Sequence, residues 1–166
     1  MRARDEILAA NRAYGESSHR ANLPARPARR LAVVTCMDAR LEPAKFLGLE
    51  DGDAHVIRNA GGVVSDDVLR SLVVSHWLLG TQEALVIAHT DCGLQKVSDE
   101  ELRRRLTEEA GADASALEFL TFTDLDESVA ASMRRIRESP LLPSSFEASG
   151  FVYDVSTGLL REVALT

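Results

Sequence analysis

Two short segments hold residues able to do chemistry together. Cys36-Met37-Asp38-Ala39-Arg40 leaves the apolar run at 31–36 and sets a thiol, a carboxylate and a guanidinium within reach of one another. His89-Thr90-Asp91-Cys92-Gly93 leaves a second apolar run at 84–88 and carries the other of the chain's 2 cysteines. Two thiolates and one imidazole are good zinc ligands, and three protein ligands with an open fourth position is the arrangement of a catalytic zinc. The charges agree, since two thiolates balance a dication and a neutral imidazole adds none. His-x-x-Cys places two ligands from one turn on one ion, and Cys36 at an equivalent strand end completes the set. Cys36, His89 and Cys92 are therefore the candidate ligands of a Zn2+ ion.

Competing readings of the same residues make different demands. Buried cysteines are commonly small inert core residues. A nucleophilic, phosphatase-like Cys36 could use the strand-to-helix loop as an anion cradle. That chemistry wants an arginine six positions on, where this chain has Glu42, and Asp38 would repel the anion. An Asp–Arg pair two residues apart is usually solvated surface charge. Beside a metal ligand, Arg40 can instead hold Asp38 ionised and oriented. Asp38 then either accepts a hydrogen bond from water on the zinc or swings in as a fourth ligand that closes the site.

The elements that must position these residues alternate between strand and helix. Leu31 to Cys36 and Ala84 to Ala88 are nearly continuous apolar runs, the pattern of strands buried on both faces. Ala54 to Arg58 reads as a strand left through Asn59-Ala60-Gly61-Gly62. Helices are expected at 4–18, from Leu41 to Leu47 with Gly48 ending it, from a Ser65 cap to Gly80, from a Ser98 capping box to about Ala110, and at about 124–138. Residues 151–155 and 159–163 flank Ser156-Thr157-Gly158 as a closing hairpin. The implied fold is α/β, a central mostly parallel sheet of order 2-1-3-4 flanked by helices on both faces, with a C-terminal antiparallel hairpin strand. In such sheets ligands bind beyond the carboxyl ends of the strands, where strand order reverses. Neighbouring first and third strands would bring Cys36 and His89 to that crevice.

The totals fit this picture. The 166 residues are expected to form a single domain, 1–166, with 1–30 as an N-terminal helix and Pro-interrupted linker. That helix has a thin apolar stripe, Ile7, Leu8 and Tyr14, which suits either a frayed terminus or packing on a partner subunit. A net charge of −7 argues against nucleic acid. Two cysteines are too few for a disulfide scaffold, no signal-peptide pattern opens the chain, and no stretch is long and apolar enough to span a membrane. A soluble, cytoplasmic protein is expected.

With both motifs and Arg58-Asn59-Ala60-Gly61 between them, the chain resembles a short bacterial-type β-class carbonic anhydrase, from about residue 30 to the terminal hairpin. The resemblance implies zinc on Cys36, His89 and Cys92, a catalytic Asp38–Arg40 dyad, and a substrate pocket at Arg58, Asn59, Ala60, Gly61 and Gly62. It implies reversible hydration of carbon dioxide to bicarbonate by zinc-bound hydroxide, and a homodimer or dimer of dimers with sites at subunit interfaces. Thiolates donate more charge than imidazoles, so activity is expected to favour the alkaline side. Relatives with the same ligands hydrolyse carbon disulfide or carbonyl sulfide, which is the alternative activity. A zinc-stabilised binding protein without turnover is a third reading, disfavoured by the dyad. One branch of the family has a tryptophan three residues before the first cysteine, helping to hold an inhibitory bicarbonate, where this chain has Val33. An early hydrogen-bonding glutamine of other members is also unmatched, Gln82 and Gln95 being the only glutamines. Of the other imidazoles, His19, His55 and His76, each is expected to be structural or superficial rather than a proton shuttle.

Overall fold

Leu31–Cys36 forms β1, and its alternation decides where everything else packs. The computed structural model describes residues 3–17 and 22–165; Ser18, the expected end of the first helix, and His19 lie outside them. The remaining strands are β2 (Ala54–Asn59), β3 (Glu83–His89), β4 (Glu147–Tyr153) and β5 (Leu160–Val163). They form one sheet in the order β2-β1-β3-β4-β5, parallel except for the β4–β5 pair. The expected order and closing hairpin are thus present.

The strand β4 begins earlier than its propensity suggests. Glu147-Ala148-Ser149-Gly150 lacks the bulky residues that mark strands, yet it pairs with β3 from Glu83 onward. The reason is tertiary: a Cβ on Gly150 would lie 2.4 Å from Val129 and 2.7 Å from Met133. Only glycine lets a helix come that close to the sheet.

The helices are α1 (Ala3–Ser17), α2 (Pro43–Leu47), α3 (Asp66–Leu79), α4 (Asp99–Ala110) and α5 (Leu125–Arg137). Ala32 and Val34 of β1, Ala84, Val86 and Ala88 of β3, and Ala148 and Val152 of β4 point to one face. There they pack against Val68 and Leu72 of α3 and Val129, Met133 and Ile136 of α5. Burying a side chain such as Leu72, which is 0% exposed, stabilises the fold by about 1.5–3 kcal/mol. The opposite face receives α2, whose Phe46 stacks on Tyr153 with ring centroids 4.4 Å apart. Pro43 opens α2 two residues later than Leu41, because proline suits the first helical position. Leu41 is instead fully buried in the loop.

The end signals read from the sequence act as expected. The Ser65 side chain accepts from the N–H of Val68 and Ser98 from that of Glu101, while Gly48 and Gly80 turn the chain out in the left-handed region. Asp124, accepting from the N–H of Glu127, and Gly111 do the same at two helix ends the sequence reading left unmarked. The irregular stretch before α5 is held by Asp99, which accepts from the N–H groups of Phe119 and Thr121 and from the Thr121 hydroxyl. By contrast α1 buries none of its residues. Among the described residues no helix is long and apolar enough to cross a membrane.

Candidate metal centre

Parallel pairing of β1 with β3, in register from Leu31↔Glu83 to Thr35↔Ile87, delivers Cys36 and His89 to the same end of the sheet. Cys92 follows within one turn, and Asp91 makes that turn possible by adopting φ 58°. The turn is tied to β4, with Thr90 N–H donating to the Tyr153 carbonyl at 2.9 Å and Val155 N–H to the Thr90 hydroxyl at 3.1 Å. The sulfurs of Cys36 and Cys92 and a ring nitrogen of His89 all lie within 4.8 Å of one another. All three residues are buried, at 5%, 1% and 0% exposure.

These residues fit a metal ion. His89 Nδ1 lies 2.9 Å from the Thr90 carbonyl, which can only accept, so Nδ1 carries the proton and Nε2 presents a lone pair. Nε2 is buried and has no hydrogen-bond partner. An orphaned buried acceptor beside two thiols is costly unless a cation takes it. Without a cation the two thiols share one proton. The hydrogen bond from Cys92 draws Cys36 down to about 4, and holding that proton, together with burial, pushes Cys92 upward. Burial opposes a charged His89, but the nearby Cys36 sulfur and the Thr90 carbonyl outweigh this and raise it. A divalent ion bound here would replace this arrangement with two thiolates and a neutral imidazole.

On the open side of the triad Asp38 Oδ2 stands 3.8 Å from His89 Nε2. Arg40 grips the carboxylate with two parallel bonds, Nε to Oδ1 at 3.0 Å and Nη2 to Oδ2 at 2.8 Å, and its backbone N–H donates to Oδ1 at 2.9 Å. Those bonds hold Asp38 far below the usual carboxylate range. Asp38 and Arg40, expected from the sequence as a catalytic dyad, are thus paired in the structure.

The stretch from Arg58 to Gly62 lies beside Cys36 and has distinct tasks. Arg58 donates to the carbonyl of Cys36 at 3.0 Å and to that of Asp38 at 2.7 Å, bracing the loop from the neighbouring strand. Asn59 closes Ala60–Gly62, a single 3₁₀ turn, by donating to the Val63 carbonyl at 2.8 Å and accepting its N–H at 3.1 Å. Gly61 has Leu94 and Phe122 against it, and Gly62 sits on the backbone of β1 and β3. An apolar-walled cavity of about 410 Å³ lies beside this turn, lined by Val63, Leu120 and Phe122 among others.

Leu94 and Phe122, packed against the cluster of Cys36, Leu41 and Cys92, carry no local signal of their role. Asp91 could have been singled out as a charged residue between two candidate ligands, His89 and Cys92, and it holds Arg40 from the other side. The other described histidines serve elsewhere. His55 bridges Ser75 and the Ala25 carbonyl, and His76 bonds the Thr81 carbonyl. Val33, where one branch has tryptophan, is fully buried within β1.

Comparison with known proteins agrees with this arrangement. The family described as "Carbonic anhydrase" matches residues 31–160. "Beta-carbonic anhydrase 1" of Mycobacterium tuberculosis is 43% identical over 163 residues, covering 98% of this chain and 99% of that protein. A "Carbon disulfide hydrolase" of Acidithiobacillus thiooxidans is 35% identical over 153 residues, covering 80% of this chain and 76% of its own length. The crystal structure of a carbonic anhydrase from Streptococcus mutans superposes with a TM-score of 0.94 at 48% identity, covering 99% of both chains. Sequence, topology and the buried Cys-His-Cys cluster concur, and the chain belongs to the β-carbonic anhydrase family of enzymes.

Proposed function

We propose that this protein is a zinc-dependent carbonic anhydrase that interconverts carbon dioxide and bicarbonate. The observation that carries the proposal is His89 Nε2, buried and unpartnered, within 4.8 Å of the Cys36 and Cys92 sulfurs and beside an ionised Asp38. Zinc held by Cys36, His89 and Cys92 would supply a Lewis acid that acidifies a water at its open position. The chain's residues supply the rest. Arg40 keeps Asp38 charged, so Asp38 would be able to accept a hydrogen bond from a water beside the ion and orient it. Gly61, Leu94 and Phe122 offer an apolar wall that suits a small uncharged molecule. Both Asp38 oxygens are bonded to Arg40, which would hold Asp38 back from serving as a further ligand.

The test is stopped-flow carbon dioxide hydration with elemental analysis on one preparation, run beside carbon disulfide hydrolysis. About one zinc per chain and rapid hydration are expected. Full zinc with turnover of carbon disulfide alone would replace the reading by the activity named for the Acidithiobacillus relative. Full zinc with neither activity would leave a non-catalytic metal protein.

An exposed stripe on α1 supports an assembly of more than one copy. Ile7 is 65% exposed and Leu8 42% exposed, on a helix that buries nothing within its own chain. An isolated 15-residue helix is marginal in water, so we assign this stripe to a second copy, giving a homodimer or dimer of dimers. Two thiolate ligands suit the reducing cytoplasm.

A further inference from the structure

The dyad is one half of a larger arrangement. The guanidinium of Arg40 has two usable edges, and each is occupied by two bonds. Nε and Nη2 face the Asp38 carboxylate, while Nη1 donates to Asp91 Oδ2 at 2.8 Å and Nη2 to the Asp91 carbonyl at 3.1 Å. The other Asp91 oxygen pairs with Lys96. We propose that Asp91, backed by Lys96, is a positioning residue that fixes Arg40 so that Asp38 stays in the dyad and off the metal. The proposal rests on the reading of this site as a zinc carbonic anhydrase centre.

The geometry explains why a carboxylate at this position is suited to the task. Asp91 adopts φ 58°, which ordinary residues avoid and aspartate, asparagine and glycine tolerate. That conformation places a ligand on either side in sequence and turns the Asp91 carbonyl and carboxylate together onto Arg40. A flexible arginine held only by Asp38 would lose its place whenever Asp38 turned toward the metal. Anchored on its second edge, it remains where it can take Asp38 back. Asp91 also competes with Asp38 for the same cation. Lys96 offsets that charge, and the competition runs through solvent, since Asp91 and Arg40 side chains are 52% and 47% exposed. Preorganisation of a long side chain therefore outweighs the competition.

The experiment compares wild type with Asp91→Asn, Asp91→Gly and Lys96→Met. Both Asp91 substitutions tolerate the left-handed backbone, and Lys96→Met leaves that backbone untouched should either fail to fold. Azide is titrated into the cobalt-substituted proteins by visible absorption, reading access to the fourth coordination position directly. Carbon dioxide kinetics are measured on the zinc forms. Expected are azide affinities weakened about three- to tenfold in the Asp91 variants and about twofold in Lys96→Met, with kcat falling in parallel and KM unchanged. Unchanged or tighter azide binding, or loss of bound metal from the Asp91 variants, would overturn the assignment. A wild type that fails to hydrate carbon dioxide would defeat the functional reading, while the azide comparison would still decide the role of Asp91.

Discussion

Replacing Gly62 by alanine should damage both the fold and the metal centre, and the structure gives the size of the effect. Gly62 lies at φ 65°, and a Cβ there would stand 2.8 Å from the Cys36 amide nitrogen, 2.9 Å from the Thr35 carbonyl carbon and 3.1 Å from the Ile87 carbonyl oxygen. All three are backbone atoms of central strands, so no side chain can rotate away. The left-handed conformation costs alanine about 1 kcal/mol. Forcing a methyl into packed backbone adds about 1–3 kcal/mol. The sum, about 2–4 kcal/mol, lowers the melting temperature by roughly 5–15 °C for a domain of this size. Because the nearest atom belongs to Cys36, zinc affinity falls as well. Gly48→Ala is the internal control: φ is 60°, yet nothing lies within 4 Å of its Cβ, leaving only about 1 kcal/mol of conformational cost. Thermal unfolding at one protein concentration, with zinc content measured beside it, compares the pair. If Gly62→Ala melts together with Gly48→Ala and keeps its zinc, the close approach of the turn to the first ligand has no energetic weight and the reasoning fails.

Other perturbations separate the remaining parts of the site. Asp38→Asn should retain zinc and lose most carbon dioxide hydration in stopped flow. Its pH dependence has a definite sign: Asp38 is depressed by Arg40, so its contribution is present above the ordinary carboxylate pKa and lost only as pH falls through the lowered one. The gap in melting temperature between wild type and Asp38→Asn, worth about 1 kcal/mol after screening of a 47% exposed Arg40, should stay flat from about pH 5 to about pH 9 and close only in strong acid. Arg58→Met removes two charge-assisted bonds to the loop carbonyls; a loss of about 1–3 kcal/mol and faster zinc release to a chelator are expected. Deleting residues 1–17 should leave the fold intact, because α1 buries nothing, while sedimentation velocity reports a smaller species.

Much of this was legible because local chemistry and local structure coincide. Cys36 and His89 end apolar runs of strand length, and Ser65, Ser98, Gly48 and Gly80 mark helix ends through groups that bond within a few residues. The beginning of β4 escaped notice because Gly150 is dictated by α5 rather than by any preference for a strand. Leu94 and Phe122 were equally silent, since an apolar residue at a site has the same appearance in sequence as one in the core.

The sequence by itself determined the candidate donor set, the Asp38–Arg40 pair and the alternation of strands and helices, because each depends on residue type and short spacing. The tertiary structure decided what lies across the chain. Pairing of β1 with β3 joins a cysteine to a histidine and a second cysteine. Arg58 reaches from β2 to the carbonyls of the ligand loop, and Asp91 takes the free edge of Arg40. Hydrogen bonds of that kind depend on how strands are ordered and how side chains are aimed, which residue spacing does not encode.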